Sequence, residues 1–200
     1  MGSGKNGTFD KEPDLKQWAI LAVFNEDDAG NFKTRNTKEL YGRFVNFWLR
    51  LFKCEVCTFY LEPIEGHGFW DKKQAFGSFK NKQEYHGPIA ILTRATIRLN
   101  RLSYFWRHVA PVAAQMTIAK GFVTSFGIGE IPWIKQATFS IWKSREDMKA
   151  FAYGMKEHVE VIKKTRQQKW YSEDMFVRFK ILQHEGSVKG QDPLGSLLNK

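Results

Sequence analysis

Apolar positions change period several times along the chain, and each change marks an element. Trp18 to Phe24 is a short continuous apolar run between polar residues, which predicts a buried strand. From Thr37 the spacing turns helical, with Tyr41, Phe44, Val45, Trp48 and Leu51 or Phe52 on one face. Val56 to Leu61 returns to a strand. Pro63 to Pro88 carries Gly66, Gly68, Gly77 and Gly87 and reads as a lid over a site or a mobile connection. Ile89 to Arg98 alternates: Ile89, Ile91, Thr93, Ala95 and Ile97 share one face, Ala90, Leu92, Arg94, Thr96 and Arg98 the other. Asn100 to Ala119 predicts a helix with Leu102, Phe105, Trp106, Val109, Ala113 and Met116 inward, kinked or restarted at Pro111. His108 falls off that stripe, toward solvent or the end of a neighbouring element. Phe122 to Gly129 and Gln136 to Trp142 are strands joined through a Gly-Pro turn. In the second, Ala137, Phe139 and Ile141 oppose Gln136, Thr138, Ser140 and Trp142. Ser144 and Asp147 give an S-x-x-D helix start. Met148, Phe151, Met155, Val159 and Ile162 then form one stripe, with His158 inside it. Phe176 to Leu182 is the last strand.

From Ile89 to Leu182 this order is β-α-β-β-α-β, the ferredoxin-like unit of an α+β fold. The N-terminal part supplies an abbreviated β-α-β half, and together the two predict an α+β barrel. Facing sheets would then enclose a cavity lined by the Arg94 and Thr138 faces. The expected organisation is a flexible lead-in over 1–14, one globular domain over 15–185 with halves 15–88 and 89–185, and a loose tail over 186–200.

Composition sharpens this picture. Aromatics are 15% of the chain, with seventeen Phe and seven Trp; such side chains suit core packing and a flat apolar ligand alike. The formal net charge of +10 attracts polyanions or an anionic membrane face. The basic cluster Lys163 to Lys169 reads as a solvated helix end or as a membrane contact. Cys54 and Cys57 form a lone C-x-x-C; no second ligand pair completes a zinc site, so they read as unpaired thiols in a reducing compartment. The N-terminus is polar and no apolar run approaches the ~20 residues of a membrane span. These features predict a cytoplasmic protein that can work at the inner face of the membrane. An arginine at mid-strand needs a partner, and for Arg94 the choice lies between an ion pair with Glu130 or Glu173 and a ligand contact. His67 and His86 read as loop histidines, with a distal role left open.

Several motifs resemble a known family. Leu92-Thr-Arg94-Ala-Thr-Ile97, Phe105-Trp-Arg107, Gly127-Ile-Gly-Glu130-x-Pro132, Gln136-Ala-Thr-Phe-Ser-Ile-Trp142, Phe151-Ala-Tyr153, His158 and Trp170-Tyr-Ser-Glu173 stand in the order found in spheroidene monooxygenases. These are haem-containing carotenoid oxygenases, also called acyclic carotenoid 2-ketolases. The resemblance is carried by residues 89–182; before Ile89 it rests on WAILAVF and Gly68-Phe-Trp70. It implies a b-type haem held by His158 as the iron ligand, with Arg94, Gln136, Phe151 and Trp142 around the cofactor. Arg94, Thr138 and Ser140 are the implied catalytic groups, polarising oxygen or donating hydrogen bonds to it. The implied reaction oxidises a carotenoid-like polyene with O2 and electrons from a donor such as a ferredoxin. Peripheral membrane contact and a homodimer are further expected partners; nucleic acid is not one. A haem- or lipid-binding protein without turnover, and a haem dehydratase on a related fold, are the alternatives.

Overall fold

Ile89–Ile97 forms β4, the centre of the molecule, because its residues are apolar toward both faces and strands pair with it on both edges. The computed structural model describes residues 2–4, 12–24, 37–77, 79, 85–154, 163–165 and 167–198. In chain order the elements are β1 (Gly2–Gly4), β2 (Pro13–Trp18), α1 (Thr37–Leu51), β3 (Cys57–Gly68), β4, α2 (Leu102–Thr117), β5 (Phe122–Ile131), β6 (Lys135–Trp142), α3 (Arg145–Gly154) and β7 (Tyr171–Gly186). They build one antiparallel seven-stranded sheet in the order β2-β1-β5-β6-β4-β7-β3. Its β5-β6-β4-β7 portion, with α2 and α3 as crossovers, is the expected ferredoxin-like unit.

The N-terminal half does not make a second, facing sheet among the described residues. Its strands extend the same sheet, β3 along β7 at one edge and β1 with β2 beyond β5 at the other. Enclosure comes instead from rolling. Two strands separate β3 from β6, so a flat sheet would hold them about 14 Å apart. Yet the Phe59 ring lies 5.7 Å from Phe139 and 6.4 Å from Phe126. The concave side is filled by Ala90, Leu92, Ala137, Ile141, Met175, Val177, Phe179 and Ile181. The convex side carries the helices: Ile89, Ile91 and Trp142 pack on Met148 and Phe151 of α3, and Ile97 and Trp170 on Phe105 and Trp106 of α2.

Five local expectations differ. Trp18 to Phe24 is not a buried strand: β2 ends at Trp18 and Ala19–Phe24 has no strand structure, with Trp18 71% exposed, because β2 is the outermost strand. Pro63 to Gly68 belongs to β3 rather than to a loop; an edge strand with a register break at Pro63/Glu65 tolerates the missing N–H. Pro111 sits on the exposed side of α2, which continues through it, since solvent can satisfy the carbonyl it leaves unbonded. The tail after Gly186 is tied down. Leu194 is buried in the concave core, and Glu55 accepts bonds from the Ser187 hydroxyl and from the Lys189 and Gly190 backbone N–H groups. Gly2–Gly4, within the expected lead-in, pairs as β1. Among the described residues no helix is long and apolar enough to cross a membrane.

Candidate active site on the helix face

Strand register decides which candidate residues share a wall. Arg94 pairs with Ala137 and Met175, so it points to the concave side. Thr138 pairs with Thr93, so Thr138, Ser140, Gln136 and Trp142 point to the helix side. The expected cavity shared by Arg94 and Thr138 therefore does not exist; the sheet stands between them.

On the concave side Arg94 is fully buried and saturated with carboxylates. Its Nε and one terminal nitrogen donate to Glu130 at 2.7 and 3.0 Å, the other terminal nitrogen to Glu173 at 2.7 Å, and Asp71 accepts at 3.0 Å. Trp70 lies 4.8 Å from the guanidinium carbon. Lys135 holds Asp71 at 2.6 Å, and Glu173 accepts the Asp71 and Lys72 backbone N–H groups. Burial works against the charge of Arg94, but Glu130 and Glu173 outweigh it and keep its pKa above the ordinary arginine value. The guanidinium is a structural hub, the ion-pair alternative of the sequence reading, and has no free edge to offer a propionate or oxygen.

The helix side is different. Across the sheet one row runs Gly127, Thr138, Thr93, Phe176, His67. Thr93 is exposed in the central strand, although Ile91 and Ala95 beside it are buried. Among the described residues the helices thus leave a gap over a shelf of small and aromatic side chains. No hydrogen bond ties the Thr93 or Thr138 hydroxyl among the described residues. His67 stacks on Phe176 at 5.6 Å. The next row holds Ser125, Ser140, Ile91, Arg178 and Glu65. Arg178 is 5% exposed and lies 5.7 Å over the Phe176 ring; its only hydrogen-bonding side-chain partner among the described residues is Glu65, which Arg145 at the start of α3 also binds at 3.1 Å. Two guanidiniums therefore share one carboxylate, and both Nε atoms are buried without a partner. Burial first, and then the nearness of Arg145, lower the pKa of Arg178 against the pull of Glu65. A second anion would complete this set.

The other expected residues divide between structure and site. The Ser140 hydroxyl accepts from the Trp142 indole at 3.1 Å, and the Gln136 amide donates to the Ile131 carbonyl at 3.2 Å, so both brace the sheet. Trp142 and Phe151 meet at 5.2 Å inside the buried cluster between the sheet and α3, so both serve as core. His158 lies outside the described residues. His108 bonds the Tyr104 carbonyl and packs on Trp170, and His184 pairs with Asp192. Cys54 and Cys57 are free thiols; burial, then Asp192 and Glu55, push Cys57 up to about 11, away from thiolate chemistry. Among the described residues no three His, Cys, Asp or Glu side chains gather as a metal site. A cavity of about 370 Å³ opens at the β3 edge, lined by His67, Phe69, Phe76, Phe79 and Met175. Arg178, Arg145 and Phe176 were missed by the sequence reading, although alternation in the last strand sets Phe176 and Arg178 opposite Val177 and Phe179.

The fold is thus a ferredoxin-like α+β sheet whose helix face, among the described residues, is open at its centre. No family model matches the chain. It is 33% identical over 199 residues to the spheroidene monooxygenase of Cereibacter sphaeroides, covering 99% of this chain and 59% of that protein. With the spheroidene monooxygenase of Rhodobacter capsulatus the identity is 32% over 196 residues, covering 98% and 79%. With that of Rubrivivax gelatinosus it is 34% over 192 residues, covering 96% and 70%. The chain belongs to the spheroidene monooxygenase family, and the likeness extends well before Ile89. It spans about three-fifths of the first relative's length and more of the other two. Among solved structures it is similar to a putative monooxygenase from Fusobacterium nucleatum, with 13% identity, a TM-score of 0.46, and 55% of this chain and 49% of that one covered. A putative antibiotic biosynthesis monooxygenase from Nitrosomonas europaea matches at 12% identity and a TM-score of 0.38, covering 55% and 94%.

Proposed function

We propose that this chain is a haem-dependent monooxygenase that oxidises a carotenoid-like polyene, with its site on the helix face of the sheet. The observation that carries the reading is the open shelf of Thr93, Thr138 and Phe176 beside two arginines with orphaned N–H groups. These residues fit a haem. Arg145 and Arg178 would hold its carboxylates, Phe176 would pack against its apolar surface, and iron needs one protein imidazole. His158, four residues after Gly154 in the sequence, is the assigned ligand from the family motif; His67, at the end of the shelf, is the second choice.

When bound, the haem would supply the activation of O2 at its iron. The overall change places one oxygen atom into a C–H bond of the polyene and releases the other as water. Two electrons from an external donor such as a ferredoxin and two protons balance it. The residues of this chain do the rest. Thr93 and Thr138 offer hydroxyl donors to the site, Phe176 would help exclude water from it, and the arginine pair would fix orientation.

The test begins with purified protein supplied with haem. A Soret band that His158→Ala abolishes while His67→Ala retains it supports the assignment; the reverse moves the ligand to His67. Reductant, a ferredoxin and labelled dioxygen with a carotenoid extract should then give a labelled product. Haem binding with no labelled product would leave a non-catalytic haem protein.

A further inference from the structure

Helix α1 has its apolar face turned outward. Gly42, at φ +73°, breaks the helix, and the Asn46 amide donates to its carbonyl at 2.7 Å, so a separate segment of about two and a half turns starts at Arg43. In that segment Phe44 is 75% exposed, Phe47 59%, Leu51 56%, and Phe52, just beyond it, 67%. At the helical repeat Phe44, Phe47, Trp48 and Leu51 fall within an arc of about 100°. Their rings hold one another: Trp48 is edge-on to Phe44 and Phe47 and stacked on Phe52 at 5.4 Å. The adjoining side, Val45 and Leu49, is half-buried, and the Tyr41 hydroxyl lies 3.3 Å from that of Thr58 on β3. The helix is therefore tethered with its aromatic side out.

The charge around this patch has one sign. Tyr41 to Lys53 contains no acidic residue, while Arg43, Arg50 and Lys53 are all exposed. Arg43 and Arg50 border the aromatic arc on the same flank, one turn either side of its centre. An apolar arc of Phe, Trp and Leu bordered by arginines is the pattern of a helix lying in a bilayer interface, its rings among the acyl chains and its cations at headgroup level. A second copy of the chain fits less well. A two-fold interface would set this cationic border against itself in molecules that each carry a formal +10.

We propose that α1 docks the protein on an anionic bilayer surface, with Phe44, Phe47, Trp48 and Leu51 entering the interface and Arg43 and Arg50 contacting lipid phosphates. This places the docking element in the N-terminal half rather than at the Lys163 to Lys169 cluster. It stands apart from the oxygenase reading, because vesicle binding is measured without haem or turnover.

Flotation of the full chain with phosphatidylcholine vesicles, with and without phosphatidylglycerol, tests it. The protein should float with the anionic vesicles and be partly released by salt. Arg43→Glu with Arg50→Glu should lower the apparent affinity by roughly tenfold or more. Phe44→Ser with Phe47→Ser should abolish the binding that persists in high salt. Both pairs are exposed, so circular dichroism should be unchanged, and hydrogen exchange over 43–53 should slow when vesicles are added to the wild type. Binding that neither double variant reduces would overturn the proposal. So would the absence of binding to anionic vesicles, including the case where sedimentation shows a dimer that Phe44→Ser with Phe47→Ser dissociates.

Discussion

Arg94 and Arg178 are the same side chain in opposite circumstances. Arg94 meets three carboxylates on the concave side, whereas Arg178 and Arg145 divide one carboxylate on the helix side. Removing Arg94 would leave Glu130, Glu173 and Asp71 facing one another with Lys135 alone. Arg94→Leu should therefore lose about 3–5 kcal/mol in urea unfolding at neutral pH. The same network sets an acid limit. The Lys135 hydrogen bond leads in holding Asp71 below its ordinary 3.8. Burial presses Glu173 upward, but the Lys72 and Asp71 backbone donors and Arg94 keep it below 4.5. Carboxylates with depressed folded values contribute stability that is complete above their unfolded values and is lost as pH falls through the folded ones. The wild-type urea midpoint should hold above about pH 5 and drop below about pH 4, and Arg94→Leu should flatten that drop. On the proposed haem reading, Arg178→Gln should instead leave the fold intact and weaken haem retention, read as faster loss of the Soret band to an acceptor protein. Retention equal to wild type would remove Arg178 from the site. Glu130 and Glu173 were legible as Arg94 partners because a mid-strand cation demands an anion. Asp71 was not, since nothing periodic marks a residue in a turn.

At the level of elements, alternation along single strands was readable and pairing between them was not. The two faces of β4 are as its sequence alternates, and Ser144 caps α3 as expected, its hydroxyl accepting the Asp147 N–H at 3.1 Å. What failed was the join between β4 and β6. Placing Thr138 with Arg94 required a register one residue away from the observed Arg94–Ala137 pair, and a one-residue slip turns every side chain to the other face. That register is set by the whole sheet, through contacts far apart in sequence. The β3–β7 pair shows how tightly it is held. Gly68 has φ +87°, and a Cβ there would sit 2.1 Å from the Asp174 carbonyl oxygen. Gly68→Ala combines backbone strain with a clash against main chain, so it should cost more than 1 kcal/mol. His67, next in the strand, should lose its stacking on Phe176, visible as a shifted imidazole resonance. An unchanged urea midpoint would show that the edge can give way.

The whole molecule is one rolled sheet to which distant parts of the chain contribute, and this was the least legible feature. Element order predicted the ferredoxin-like unit, but no local pattern says that the N-terminal half divides between the two edges. Nor does the Gly- and Ser-rich composition after His184 announce that Leu194 fills the concave core, 2% exposed beside the β4, β6 and β7 residues. Local composition reports the tail's backbone freedom; long-range burial overrides it once the sheet has rolled. The consequence is cooperativity. Leu194, Phe59 and Leu61 pack against a cluster built from the C-terminal strands, so neither half has a complete core of its own. Urea unfolding should be a single transition, with fluorescence from the buried Trp142 and Trp170 coinciding with far-ultraviolet circular dichroism. Leu194→Ala should move both probes together and cost about 2–5 kcal/mol, the range for emptying a buried leucine site. If it shifts neither probe, the tail lies on the sheet without completing it. If the two probes separate, the N-terminal strands unfold before the ferredoxin-like unit, and the rolled sheet is two cooperative units rather than one.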